Sequence, residues 1–315
     1  MTRRLSSALI VLCAAVAVPA RAGLEDAAAS ASAAFRLGLE APAAGLVPSM
    51  AKTVFHSLSD EDQLINLLSD SDPAVRAQAA RSLKNFALSS YRAESALLDA
   101  VESSREVEAV KREAIKSLAW AAQHSNTKDK LVSVALDSRQ TATLRAIALK
   151  SLYVVANQYD VKDKLEEVLA ASREDLVVRF AAAWGLWGAA LNDSHAREQL
   201  LSLAKNDRED AGLRVEAVKS LYSGMSDWNV KDGVWALSKD ERLEAPLREA
   251  ATLCLHAISN DWSVRGYLED ASKNSRSSAV KLAAIKALGG PSLELTRYFH
   301  VSYYLGRFID PLEDQ

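Results

Sequence analysis

The sequence has 315 residues, a formal net charge of −3 at pH 7, and 49% hydrophobic residues with only 12 glycines and 7 prolines. This composition excludes a disordered or collagen-like chain. The slightly negative charge excludes a general nucleic-acid binder that depends on excess positive charge. Alanine, leucine, glutamate and lysine outnumber β-branched and aromatic residues, which favours helices.

The first element in the chain is a predicted secretory signal peptide over residues 1–22. It has a basic start at Arg3 and Arg4, an apolar run over residues 8–18 and an A-x-A cleavage pattern at 20–22. The apolar run is too short to span a bilayer comfortably. Cleavage would remove three arginines and no acidic residue, which takes the net charge from −3 to −6. We therefore expect an exported protein, periplasmic or secreted from a bacterium, with no membrane span in the mature chain.

A motif then repeats about every 34 residues through the middle of the chain. In each copy a hydrophobic residue precedes a basic anchor residue, an alanine follows the anchor by three positions, and a leucine follows it by seven. This spacing is one stripe of an α-helix. A shorter apolar helix precedes each stripe, so the repeating unit is a pair of helices. The anchors are Arg76, Lys111, Arg145, Arg179, Arg214, Arg248 and Lys281.

One helix pair cannot bury its own stripe, whereas stacked neighbouring pairs can. The sequence therefore predicts an all-α fold, an α-solenoid of about seven two-helix repeats over residues 56–290. The anchors are expected to form a ladder of ion pairs and hydrogen bonds between repeats. Residues predicted to cap the first helices of the pairs are Asn126, Asp160, Ser194, Asn229 and Ser263.

Two other regular columns receive structural interpretations. Arginines in the turns within the pairs, from Arg105 to Arg276, are expected to donate to carbonyls at the ends of the first helices. Trp228 and Trp262 lie beside the predicted caps and are expected to act as hydrophobic staples.

Residues 72–80, Asp-Pro-Ala-Val-Arg-Ala-Gln-Ala-Ala, resemble the start of the second helix of a HEAT repeat. The short period is similar to that of the compact HEAT-like class of the PBS-lyase type. The resemblance extends over the repeat region, although later turns such as 138–141 lack the Asp-Pro pair. It implies the fold, and it implies that the second helices line the concave side of the solenoid.

The segments on either side of the repeats differ from them in composition. Residues 23–55 form an Ala-rich N-terminal lead, either mobile or a weak helix on the first repeat. Residues 291–315 are rich in aromatic residues and are predicted to cap the last repeat, with a partner-binding tail as the alternative.

No catalytic motif stands out, and we predict no catalytic residue, no metal site and no cofactor. The five histidines are on different repeats, and none has a histidine or cysteine three or four residues away. After signal cleavage Cys254 is the one remaining cysteine, so an internal disulfide is impossible. It replaces a small core residue and is predicted to be a packed thiol.

The candidate site lies on the second helices, five positions after the anchors. This position faces away from the core stripe and holds Lys116, Lys150 and Lys219, but Trp184 in the fourth repeat. Aromatic residues beside basic ones are typical of interface anchors. The alternative is that the rings pack against adjacent helices or the N-terminal segment. The predicted patch contains Phe180, Trp184, Trp187, Trp120, Tyr153, Tyr222, Lys116, Lys150 and Lys219.

These observations favour an exported, non-enzymatic scaffold that binds a protein or peptide on its concave face. Homo-oligomerisation through the Trp184 patch is a further alternative. An accessory or lyase-like subunit that assists another enzyme would show the same sequence features. A HEAT-like DNA glycosylase is a third hypothesis, but export and a mature charge of −6 argue against nucleic acid as a partner.

Overall fold

The computed structural model describes residues 60–289 of the chain. The predicted signal peptide (1–22), the Ala-rich lead (23–55) and the aromatic-rich segment (291–315) lie outside the described residues. All regular structure within residues 60–289 is helical, as the sequence predicts.

Sixteen α-helices follow one another between residues 60 and 289. In chain order they are α1 (60–67), α2 (Pro73–Ser82), α3 (Lys84–Ala87), α4 (Tyr91–Glu102), α5 (Glu108–Ser117), α6 (Ser125–Leu136), α7 (Ala142–Ser151), α8 (Tyr159–Ala170), α9 (Leu176–Gly185), α10 (Trp187–Ala190), α11 (Ser194–Lys205), α12 (Ala211–Ser220), α13 (Trp228–Lys239), α14 (Ala245–Cys254), α15 (Trp262–Asn274) and α16 (Ser278–Gly289).

These helices form the seven predicted pairs. The first helices are α1, α4, α6, α8, α11, α13 and α15, and the second helices are α2, α5, α7, α9, α12, α14 and α16. A short turn follows the second helix in six pairs. It is α3 in the first pair and α10 in the fourth, and elsewhere it is one of the 3₁₀ helices Trp120–Gln123, Leu152–Val155, Leu221–Gly224 and Leu255–Ile258.

The core lies between the helices of each pair and between successive second helices. All seven alanines of the predicted stripe are buried, from Ala79 to Ala284, and so are six of its seven leucines, from Leu83 to Leu255. Each second helix packs on the next one along the chain, from α2 to α16, whereas neighbouring first helices touch less closely. The second helices therefore make one continuous layer, because small alanine side chains allow close approach.

The predicted N-caps of the first helices are wrong by one or two residues. Asn229 and Ser263 occupy the second helical position, and the caps are Asp227 and Asp261, whose carboxylates accept from the backbone N–H groups at the helix start. Asp193 caps α11 in the same way, so Ser194 is its first helical residue. Asn126 and Asp160 are also inside their helices. Each misassigned residue lies close to the residue that takes up the extended conformation of a cap.

Within residues 60–289 the predicted anchor ladder forms at four of the seven anchors. Arg76, Arg145 and Arg179 pair with Glu106, Glu174 and Glu209 of the following repeat at 2.8, 2.5 and 2.9 Å. Each carboxylate lies in the turn within the next pair, so the ladder joins neighbouring repeats along one edge. Arg214 continues it with Glu244 at 3.4 Å.

The anchor arginines also perform the role predicted for the turn arginines. Nε of Arg179 donates to the carbonyl of Leu169, near the end of the first helix of its own pair, at 3.0 Å. By contrast Arg242 in the turn is 89% exposed and pairs with Asp240, two residues away. The prediction that the turn column satisfies these carbonyls is therefore wrong, because that column points into solvent.

Candidate binding site on the second helices

Four of the predicted site residues form a connected aromatic cluster: Trp120, Tyr153, Trp184 and Trp187. Trp184 is in the last turn of α9, and Trp187 begins α10 directly after it. Tyr153 and Trp120 are in the 3₁₀ turns that follow the two preceding second helices. The aromatic cluster thus spans the second, third and fourth repeats.

Tyr153 lies at the centre of the aromatic cluster. Its ring stacks on Trp187 with centroids 5.4 Å apart, and it meets Trp184 edge to face at 5.4 Å. Trp120 contacts Tyr153 edge to face at 6.1 Å, and Trp184 contacts Trp187 in the same way at 6.1 Å. Each such aromatic pair contributes about 0.5–1.5 kcal/mol beyond the area that it buries.

A glycine allows this close packing. A Cβ atom at Gly188 would lie 2.2 Å from the carbonyl oxygen of Tyr153, closer than any side chain tolerates. Gly188 therefore lets α10 approach the 3₁₀ turn of the third repeat, and this approach brings Trp187 onto Tyr153. The sequence offered a signal for this contact in the Gly-Leu-Trp-Gly run at 185–188, which the site prediction did not use.

The predicted exposure of the rings is wrong. Trp184 and Trp187 are each 2% exposed and Tyr153 is 4% exposed, while Trp120 is half-buried. Position five after the anchor faces away from the stripe of its own helix, but in the solenoid the preceding repeat covers it. The structure therefore favours the alternative in which the rings pack against adjacent helices, and an oligomer contact through Trp184 loses its basis.

Two further predicted site residues lie in other surroundings. Phe180 is half-buried and contacts the next repeat, where a Cβ at Gly212 would lie 2.8 Å from its Cζ atom. Tyr222 is 3% exposed in the turn that packs on α10, and burial together with the nearby thiol of Cys254 raises its pKa. Cys254 is fully buried and its own pKa is raised to about 12 by burial, which confirms the packed thiol.

The three predicted lysines are half-buried, and one of them lies beside a ring of the aromatic cluster. Nζ of Lys150 lies 5.8 Å from the ring centroid of Trp184, within cation–π range. Lys116 lies 3.9 Å from Glu113 on the same helix. Lys219 is near enough to Cys254 to act on the pKa of the thiol, which it lowers against the larger effect of burial. Lys150 therefore brings positive charge to the border of the aromatic cluster.

Trp184 has one further property. Its indole N–H is buried and finds no hydrogen-bond acceptor among residues 60–289. A buried donor without an acceptor costs about 1–3 kcal/mol. The sequence carries no signal for this, because the absence of an acceptor depends on the packing of three repeats.

Within residues 60–289 no group of three or more His, Cys, Asp or Glu residues could hold a metal ion. His195 pairs with Glu166 at 3.0 Å on the first-helix side, and this carboxylate raises the pKa of the imidazole. No helix between residues 60 and 289 is long and apolar enough to cross a membrane.

The model of the HEAT repeat family matches residues 61–153. Over these residues the chain carries HEAT repeats. The match and the seven helix pairs confirm the predicted resemblance and the predicted α-solenoid. None of the curated proteins matches the sequence.

Solved structures of other proteins are similar to this chain at the level of the fold. Kap95p, in a complex with RanGDP, gives a TM-score of 0.51 at 12% identity, over 73% of this chain and 32% of Kap95p. The CpcE–CpcF phycocyanin lyase complex of Nostoc sp. PCC7120 gives 0.44 at 17% identity, over 80% of this chain and 90% of that one. Human deoxyhypusine hydroxylase gives a TM-score of 0.34 at 16% identity, over 74% of this chain and 97% of the hydroxylase.

Proposed function

We propose that this protein is an exported, non-enzymatic scaffold that binds a protein or peptide partner along the face of its second helices. The observation that carries the proposal is the accessible edge of the aromatic cluster, where the half-buried Trp120 and Lys150 lie against the rings of Tyr153 and Trp184. A tryptophan beside positive charge is typical of protein-binding hot spots.

The buried rings form the floor of this site, and the half-buried residues form its accessible part. Tyr153, Trp184 and Trp187 hold one another in fixed positions through their ring contacts. A partner would touch Trp120, Lys150 and the neighbouring lysines above that floor. A floor that is already rigid costs little conformational entropy on binding, which favours affinity.

The chemistry of the site favours an extended acidic segment as the partner. Lys116, Lys150 and Lys219 occupy the same position in the second, third and fifth repeats and would pair with carboxylates spaced along a peptide. Kap95p, which shares the fold, binds the protein Ran, so a solenoid of this kind can carry a protein partner. The proposal for this chain rests on its own residues.

The test uses charge reversal on the two sides of the solenoid. Peptides would be selected from a displayed library on the chain from residue 23 onward, and their dissociation constants measured by calorimetry. A variant with Lys116→Glu, Lys150→Glu and Lys219→Glu should bind at least about tenfold more weakly, a loss of about 1.4 kcal/mol. The control variant reverses three lysines of first helices, Lys130, Lys164 and Lys205, and should bind as the parent does.

Equal binding by both variants would place the peptide elsewhere and contradict the site. Circular dichroism would first establish that both variants are as helical as the parent. If a selected peptide were chemically altered during the experiment, the non-enzymatic part of the proposal would be wrong. The accessory or lyase-like alternative stays a prediction.

Export has its own experiment. Residues 1–22 would be fused to a phosphatase that folds actively only outside the bacterial cytoplasm. We expect phosphatase activity from this fusion and none when Arg3, Arg4 and the apolar run are deleted. Activity that does not depend on these residues, or no activity from either fusion, would contradict an exported scaffold.

A further inference from the structure

A row of exposed aromatic residues runs along the starts of the first helices. The first residue of each first helix from α4 to α15 occupies the same structural position, and four of these six residues are aromatic. We call them the first-helix row. The four are Tyr91, Tyr159, Trp228 and Trp262, with exposed fractions of 79, 75, 71 and 85%.

The first-helix row contributes nothing to the core. The sequence predicted that Trp228 and Trp262 are hydrophobic staples, and their exposure shows that this is wrong. The two tryptophan rings stand between polar residues, because Asp227 and Asn229 flank Trp228 while Asp261 and Ser263 flank Trp262. Isolated flat rings among polar groups differ from the contiguous apolar patch that marks an ordinary protein interface.

A cavity adjoins the row at Trp228. It lies between α11 and α13, measures about 560 Å³, and is within the size range of small-ligand sites. Asp227 and Asn229, the two neighbours of Trp228, both line it. Its polar lining residues are Arg197, Glu198, Lys205, Asp227, Asn229 and Asp232.

The charges of the cavity favour a neutral ligand. Three carboxylates and two cations line it, and Arg197 is already engaged by Asp227 at 3.1 Å and by the carbonyl of Ala190 at 3.0 Å. Nothing there would attract a phosphate or a polyanion. Leu201 and Val230 add apolar surface between the polar groups. A ligand that matches this lining is amphiphilic, uncharged and rich in hydroxyl groups.

We propose that Trp228, Trp262 and the adjoining cavity form a binding site for a neutral oligosaccharide chain. One face of a pyranose ring carries C–H groups that pack on a flat exposed indole, while its hydroxyls bond to carboxylate and amide side chains such as Asp232 and Asn229. Trp228 and Trp262 occupy the same position in successive repeats, so an extended chain of sugar rings could contact both.

A proline-rich peptide is another extended and regular chain, in which three residues make one helical turn and rise about 9 Å. Such peptides dock in grooves between aromatic side chains. Trp228 and Trp262 form no ring contact with each other or with another residue between 60 and 289, so they offer flat platforms instead of a groove. The geometry therefore favours the sugar, and the peptide becomes an outcome of the test.

The experiment titrates the chain from residue 23 onward with cellotetraose, N-acetylchitotetraose and maltotetraose, followed by calorimetry and tryptophan fluorescence. We expect saturable binding of a β-linked tetrasaccharide in the micromolar to millimolar range. Trp228→Ala should weaken it at least about tenfold, and Trp228→Phe, which keeps a ring, should weaken it less. Asn229→Ala should also weaken sugar binding, because it removes an amide side chain that lines the cavity. Tyr91→Ala, at the far end of the row, should leave it unchanged.

Three results would overturn the proposal: no saturable binding of any of the three sugars, equal binding by the parent and Trp228→Ala, or binding of a proline-rich peptide at Trp228 without sugar binding. All the substituted residues except Asn229 are highly exposed aromatics, so loss of folding would not explain a loss of binding. The site is independent of the proposed peptide site, because its variants lie on first helices and leave the lysines of the second helices intact.

Discussion

Tryptophan occurs in this solenoid in two opposite environments. On the second helices Trp184 and Trp187 are 2% exposed, whereas on the first helices Trp228 and Trp262 are 71 and 85% exposed. Both sets follow the repeat, and both lie near an end of a helix. The difference arises because second helices pack on one another in a continuous layer, while the starts of the first helices face solvent. A regular aromatic column therefore does not by itself indicate either a core or a binding surface.

The sharpest test of this comparison replaces one ring in each environment. Trp187→Ala should lower the free energy of unfolding by about 3–5 kcal/mol, because it opens a cavity beside Tyr153. Trp262→Ala should change it by less than about 0.5 kcal/mol. Urea unfolding followed by circular dichroism measures both. Similar losses in the two variants would show that the first-helix row is structural after all.

Arginine side chains also occur in a buried and an exposed environment, and we expect a smaller difference in stability between their variants. Arg179 is buried, makes a two-bonded contact with Glu209 and donates to the carbonyl of Leu169. Arg179→Ala should cost about 2 kcal/mol, since it removes hydrogen bonds of a charged group and leaves partners unsatisfied. Arg242→Ala is the control, and its exposed pair with Asp240 should contribute about 0–1 kcal/mol. If the two variants unfolded at the same urea concentration, the anchor ladder would not hold the repeats together.

Two glycines lie on different helix surfaces, Gly188 on a packed surface and Gly266 on an open one. Gly188→Ala should destabilise the protein by about 1–3 kcal/mol, because the added methyl group meets the Tyr153 carbonyl. Gly266 lies in α15 with nothing within 4 Å of a built Cβ. Gly266→Ala should stabilise the protein by up to about 1 kcal/mol through helix propensity. Thermal unfolding of both variants measures the difference, and a shift of the same sign in both would contradict the close approach at Gly188.

The smallest expected effect is a dependence on acid pH. The Arg179 guanidinium hydrogen-bonds the carboxylate of Glu209 and lowers its pKa below the ordinary value of 4.5. The folded state thus binds fewer protons, so this stabilisation is present above pH 4.5 and is lost as the pH falls through the lowered pKa. The urea midpoint of Glu209→Gln should change less between pH 7 and pH 3 than that of the parent. If the urea midpoint of Glu209→Gln changed as much between pH 7 and pH 3 as that of the parent, other carboxylates would account for the acid sensitivity.

The aromatic site was predicted only in part, and particular residues show why. The sequence placed Trp120, Tyr153 and Trp187 on one side of successive repeats, and the structure brings them together with Trp184. Phe180 was added because it lies one turn before Trp184, yet it contacts the next repeat instead. Angles around a single helix show which residues share a side of that helix. They do not show which neighbour covers that side.

The caps and the turn arginines fail for a similar reason. Asp227 and Asn229 both suit the start of a helix, and only the backbone conformation at Asp227 makes it the cap. Arg179 and Arg242 both lie near the end of a first helix, but the anchor points inward and the turn residue points outward. Local sequence supplies two suitable side chains in each case, and the path of the backbone selects one.

The sequence by itself determined the helix pairs, their period, the buried alanine and leucine columns and the anchor ladder. It could do so because the apolar columns recur at a fixed spacing in all seven repeats, and the ladder forms at the four places where an anchor arginine meets a glutamate of the next turn. Only the tertiary structure decided which aromatic rings are covered and which are exposed. That outcome depends on how neighbouring repeats approach, down to the missing Cβ of Gly188, and no single repeat contains this information.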